Sequence, residues 1–262
     1  MNAELNQFLV NYTLTVARLL AAASVAPFLS AQILRGPTRF AFVLAWGLIL
    51  YPYVEPQIPP KLHGDWLLTF GLLVKEIVLG VMMGFFASRA FFLAISVGYL
   101  IDTQRGSTMA SVVAPGSGEQ TSLFGQMFEQ IVLALFYTGG GFLLFLGAVF
   151  DSYQIWPLFK FLPAFPAQFP KLVLADADLL MRMVLVFAAP IVMALFVAEF
   201  GLGLVNRFAP SLNVSSLAMS LKAVAAVWIV WIQVASLVQL LQDDLLTRGG
   251  AVLLSLRALL GG

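Results

Sequence analysis

The sequence predicts an all-α integral membrane protein of about six hydrophobic helices arranged in hairpins. Three observations carry that reading. Hydrophobic residues make up 61% of the 262-residue chain and charged residues only 10%, and the mean hydropathy is +0.95, far from the range of soluble domains. Apolar runs near the ~20 residues needed to cross a bilayer recur along the whole length. Between two of them lies a polar segment, residues 100–122 ("LIDTQRGSTMASVVAPGSGEQTS"), punctuated by Gly, Ser and Pro.

The runs fall at residues 8–29, 40–54, 66–101, 122–150, 178–205 and 214–241. The first follows "MNAELNQ", which has an acid and no base, so it reads as a retained membrane helix rather than a cleaved signal peptide. The second is short and runs into "YPYVEPQIPP", whose prolines are expected to stop it. The third is too long for one straight span: at about 1.5 Å per residue it would exceed ~50 Å against a hydrocarbon core of about 30 Å. It is expected to tilt, kink or leave the membrane, and Gly80 and Gly84 mark a kink or a close helix approach. Residues 151–178 form a long aromatic, Pro-rich connection ("WPLFKFLPAFPAQFP") suited to an interface or a partner. The last two runs form a compact two-helix hairpin.

Charge and composition exclude several functions. A net charge of +1 without a basic run gives no nucleic-acid partner, and with no Cys and one His (His63) no thiolate site or histidine metal cluster can be built. "GSG" at 116–118 is no phosphate loop. The acid pairs Asp176/Asp178 and Asp243/Asp244 are expected to flank helices. Nothing argues for an enzyme or a cofactor. The bases of the connections divide four against five, with Arg35, Arg39, Arg105 and Arg207 on one side and Lys61, Lys160, Lys171, Arg248 and Arg257 on the other, so charge sets no orientation. Arg18, Lys75, Glu76, Arg89, Glu129 and Glu199 lie in or beside apolar runs. Each costs at least about 2.5 kcal/mol at mid-bilayer and needs a partner or an aqueous lining.

Two polar turns remain. In the first, Asp102, Gln104 and Arg105 end the third run, and Asp102 and Arg105 can pair across one helical turn. Gly106 permits a reversal, Thr121 or Ser122 can cap the next helix, and the centre "MASVVA" is too apolar for free exposure. In the second, "NRFAPSLNVSSLAMSLK" (206–222), Pro210 ends one helix and Asn213 can cap the next. Glu199 shares a face with Asn206 and Arg207, and Lys222 projects into an apolar run.

"GYLIDTQRGSTMAS", "SGEQTS" and "NRFAPSLNV...LAMSLK", in this order between these helices, resemble the SctT family of type III secretion export apparatus proteins, the injectisome relatives of the flagellar protein FliR. Asp-x-Gln-Arg-Gly and Lys222 look like the injectisome branch. Ser215 and Ser216 stand where bulkier residues are expected, and Ser220 where Pro is frequent. The resemblance implies a multi-pass protein of the bacterial inner membrane, within the secretion system basal body. It also implies partners: SctR-like and SctS-like subunits forming a closed pore for unfolded secreted proteins, and an SctU-like switch protein. It divides the single domain 1–262 into an SctR-like part, 1–177, and an SctS-like hairpin with a short tail, 178–262. It makes 106–120 the plug, with Gly106, Met109, Val112, Val113, Pro115, Gly116 and Gly118 as gate residues. Glu199, Asn206, Arg207, Pro210, Asn213 and Lys222 become candidate subunit contacts. The alternatives are a flagellar FliR-type gate subunit, or a secondary transporter with a site at Lys75, Glu76 and Glu199, although the internal repeats expected of a transporter are not seen.

Overall fold

A computed structural model describes residues 2–30, 33–57, 66–106, 122–161, 169–208 and 214–243. Among them the chain forms α1 (Asn2–Val25), α2 (Pro37–Val54), α3 (Trp66–Ala87), α4 (Arg89–Arg105), α5 (Leu123–Thr138), α6 (Gly141–Ile155), α7 (Phe169–Phe208) and α8 (Val214–Asp243). Short 3-10 turns follow α1 and α2. The all-α membrane fold is therefore as expected. Among the described residues four helical stretches are long and apolar enough to cross a bilayer, Glu4–Val25, Trp66–Ala87, Val173–Phe208 and Leu217–Asp243, and the broken pair α5–α6 makes a fifth if it acts as one.

Two of the runs are broken. The third run does not kink at Gly80 or Gly84. It breaks at Ser88, whose hydroxyl turns back to the Gly84 carbonyl at 2.5 Å while its N–H is shared between the Gly84 and Phe85 carbonyls at 3.1 Å, a competition that interrupts helices. The fourth run breaks before Gly140, which holds φ +75°, a left-handed conformation that glycine adopts without penalty. Pro52 does not stop α2. It sits in the last turn, and the helix ends two residues later. The 151–178 connection is shorter than expected, because α6 runs to Ile155 and α7 starts at Phe169. Asp176 and Asp178 thus lie inside α7 rather than at its flank. Trp156 and Leu158 are buried within the chain itself, so this part of the connection does not wait for a partner.

The chain packs as two units. The first holds α1, α2, α3 and α6. Here α1 and α3 run in the same direction with backbones almost touching: a Cβ on Gly80 would collide with the Arg18 carbonyl, and one on Gly84 with Ala22. These are the close approaches that the spacing of the two glycines anticipates. On α6, the Phe145 ring meets Phe28 edge-on at 5.1 Å, and the Tyr153 hydroxyl donates to the Thr15 carbonyl at 2.9 Å.

The second unit holds α4, α5, α8 and α7 from Leu172 onward. There α4 and α5 cross where Gly98 lies on the backbone of Gly125, with Phe91 against Phe136 at 5.5 Å farther along. α7 and α8 both carry exposed apolar rows, including Phe196, Val197, Phe200, Val227, Trp228 and Trp231.

Helix approaches this close fail when a side chain is inserted, at a typical cost of about 1–3 kcal/mol. Gly80→Leu and Gly98→Leu are each expected to lower the thermal midpoint of the detergent-purified chain by several degrees. Gly201→Leu, where nothing lies within 4 Å, is expected to leave it unchanged.

Candidate functional site

Two buried charge clusters, one in each unit, hold most of the ionisable residues that the sequence places in apolar runs. The first forms around Arg18. Its position in the middle of α1, between Ala17 and Leu19, leaves it fully buried, as is Glu76 on α3. The guanidinium donates from Nε to Glu76 Oε2 at 2.6 Å and from Nη2 to Oε1 at 3.0 Å, the two-pronged geometry that matches a planar fork to a carboxylate. Its remaining donors reach α6 and its C-terminal end: Ser152 Oγ at 2.7 Å and the Trp156 carbonyl at 3.2 Å. The Tyr153 ring lies under the guanidinium at 3.8 Å.

Lys75 completes the cluster. Its Nζ pairs with Glu76 Oε1 at 2.8 Å and donates to the carbonyls of Leu158 and Pro157 at 2.5 and 3.2 Å. Three buried charges are thereby held by one another, by the Ser152 hydroxyl and by backbone carbonyls. Arg18, Lys75 and Glu76 act as a rivet joining α1, α3 and α6. With its members engaged with one another and buried, the cluster is poorly suited to serve as the transporter site that Lys75 and Glu76 suggest in the sequence.

The second cluster forms where α4 ends and α5 begins. Asp102, 2% exposed, accepts the Ser122 hydroxyl at 2.6 Å and the Phe124 N–H at 2.9 Å on Oδ2. Ser122 in turn accepts the Gly125 N–H at 2.9 Å, so Ser122 is the N-cap of α5 and Asp102 a second cap contributed by another helix. A carboxylate here also meets the positive end of the helix dipole. Arg105 Nε approaches Asp102 Oδ1 at 2.7 Å, as the three-residue spacing predicts, but off the N–H axis, so the contact is electrostatic rather than an aligned hydrogen bond. The guanidinium also stands 5.1 Å from the centre of the Phe124 ring.

At the end of α4, Gly106 turns the chain with φ +85°. Lys222 of α8 donates to the Gln104 carbonyl at 3.2 Å, a cation on the negative end of that helix. Lys222 also pairs with Glu199 of α7 at 3.3 Å. Lys222, the last residue of the second polar turn, thus meets the end of α4 more than a hundred residues earlier in sequence, and Asp102 and Ser122 form a neck between the described residues that flank 107–121.

Comparison with known proteins is consistent with this arrangement. The family model for bacterial export proteins, family 1, matches residues 9–247. The chain belongs to that family. Relatives include the Yop proteins translocation protein T of Yersinia pestis, 40% identical over 83% of both chains. Another is the secretion system apparatus protein SsaT of Salmonella typhimurium, 30% identical over 86% of both. The flagellar biosynthetic protein FliR of Bacillus subtilis is 29% identical over 70% of this chain and 69% of its own. The SctT/FliR resemblance read from the two turns is therefore confirmed, and this export protein is a multi-pass protein of the bacterial inner membrane.

Within the family frame, Asp102, Gln104, Arg105, Gly106, Glu199 and Lys222 come together in the second unit. Asn206 and Arg207 are exposed at the end of α7 and do not join them. Met109, Val112, Val113, Pro115, Gly116, Gly118, Pro210 and Asn213 lie outside the described residues. The sequence did not reveal the partners of Arg18. Ser152, Tyr153 and Trp156 carry no charge, and the requirement that Arg18 find a partner does not single out Glu76 among the acids of the apolar runs.

Removing one member of a buried ion pair costs about 3–5 kcal/mol, because the other charge is left uncompensated. Glu76→Ala is therefore expected to unfold the first unit in a thermal melt, whereas Glu76→Leu combined with Arg18→Met and Lys75→Met, which leaves no buried charge in the cluster, recovers most of the loss. At the neck, Asp102→Asn keeps an oxygen for Ser122 and Phe124, while Asp102→Ala leaves the α5 terminus bare. Asp102→Asn, alone or with Arg105→Gln, is expected to assemble better than Asp102→Ala by native gel.

Proposed function

We propose that this protein is a subunit of the inner-membrane export gate of a type III secretion system, joining SctR-like and SctS-like subunits in a closed pore for unfolded proteins. An SctU-like switch protein completes the set. The injectisome branch is favoured over the flagellar one because the Yop translocation relative matches at 40% over 219 residues and the flagellar relative at 29% over 187.

The observation that carries this reading is the neck. Asp102, Ser122 and the Gly98–Gly125 crossing hold both ends of the 107–121 segment together, so a plug attached there moves aside without being lost. Its sequence suits that task. Val112, Val113 and Ala114 supply an apolar centre that excludes water, and Gly116 and Gly118 supply backbone freedom. The exposed rows of α7 and α8 are seats for neighbouring subunits, since long Phe and Trp ridges are typical of protein contact. Glu199 and Lys222 bind each other beside those seats.

The test is to replace residues 108–118 by a shorter Gly-Ser linker. The hetero-oligomer is expected to remain intact by native gel while the membrane becomes leaky, read as single-channel conductance or as growth inhibition by small toxic solutes. A linker variant that assembles and stays tight places the seal elsewhere. One that fails to assemble makes the loop structural.

A further inference from the structure

The first unit carries a groove that the export reading leaves unused. It encloses about 590 Å³ between α1, α2 and α3, from Tyr12 and Leu44 to Ser24 and Arg39. Its walls behave as hydrocarbon. Val16, Ala17, Leu20 and Ile77 line it, and its hydroxyls are turned onto backbone: Tyr12 to the Leu44 carbonyl at 2.6 Å, Thr13 to Leu9 and Ser24 to Ala21 at 2.7 Å.

Arg39 is the exception. Half-buried, it spends one Nη2 hydrogen on the Ala23 carbonyl at 2.5 Å, while a guanidinium carries five N–H donors. No carboxylate pairs with it among the described residues. A cation lining an apolar trench calls for an anion that brings its own hydrocarbon.

We propose that the groove binds one anionic phospholipid, an acyl chain lying along α1 and the phosphate on Arg39. Residues 12–24 of α1 cover about 18 Å at about 1.5 Å per residue, and one leaflet of hydrocarbon is about 15 Å thick, so a single chain matches the trench. The level also matches. The apolar span of α1 ends at Val25, two residues beyond the carbonyl that Arg39 holds. This puts the guanidinium where headgroup phosphates begin, and a planar fork takes phosphate oxygens in pairs. A carboxylate from another protein would supply the charge but not the chain-length hydrocarbon that the trench accommodates.

The test is native mass spectrometry of the full chain equilibrated in micelles carrying phosphatidylglycerol or diacylglycerol, which has the acyl chains without the phosphate. The parent is expected to retain one phosphatidylglycerol in about tenfold preference, the size of one charge-assisted contact. Arg39→Gln abolishes the preference, Arg39→Lys keeps part of it, and Leu20→Trp, which fills the trench, lowers retention of both lipids. Arg39→Lys keeps the charge and tests the same point if the glutamine variant does not fold. Absence of retained lipid, or equal retention of the two lipids by the parent, overturns the proposal. So does a photo-crosslinker at Leu44 that captures a protein rather than lipid in the assembled complex.

Discussion

A guanidinium in the middle of an apolar helix has to find an anion before that helix can be buried, and the first unit is organised around that requirement. Arg18 cannot reach water, so α3 must present Glu76 at the same level, and the backbones must come close enough for a short, two-pronged contact. Gly80 and Gly84 supply the closeness. The tail of α6 then brings Ser152 and the carbonyls of residues 156–158, which absorb the donors that Glu76 leaves over. In a medium where van der Waals packing, not hydrophobicity, drives helix association, one saturated charge cluster fixes the register of three helices that apolar surface alone would leave free to slide.

The second unit answers a related constraint at helix ends. An α4 that stops at Arg105 and an α5 that starts at Leu123 expose carbonyls and N–H groups that hydrocarbon cannot satisfy. Asp102 and Ser122 cover the N–H groups of α5, and Lys222 covers a carbonyl of α4. The same contacts that satisfy the backbone also fix Asp102 and Ser122 on either side of residues 107–121. Helix capping and the joining of these two chain positions are one structure.

Much of this was legible in the sequence. Helical membrane character follows from apolar run length, which is a strong signal. The Asp102–Arg105 pair and the Ser122 cap follow from local spacing, because their partners lie within one turn of helix or at its end. What the sequence concealed is long-range. The Arg18–Glu76 pairing spans 58 residues, and the Lys222 contact with Gln104 uses a main-chain oxygen, which has no residue-type signature. The breaks at Ser88 and before Gly140 were also hidden, since Ser and Gly are common in membrane helices and only packing decides which of them interrupts one.

The central claim is that the segment held at the neck occupies a closed pore at rest and leaves it during transport. The chain has no cysteine, so a single cysteine at Val113 reports on that position without background. The decisive measurement is labelling of this cysteine by a membrane-impermeant maleimide, in vesicles carrying the assembled complex, with and without a substrate arrested in transit. Protection at rest and rapid labelling in the arrested state is the expected result. Equal labelling in both states would contradict a plug tethered at Asp102 and Ser122.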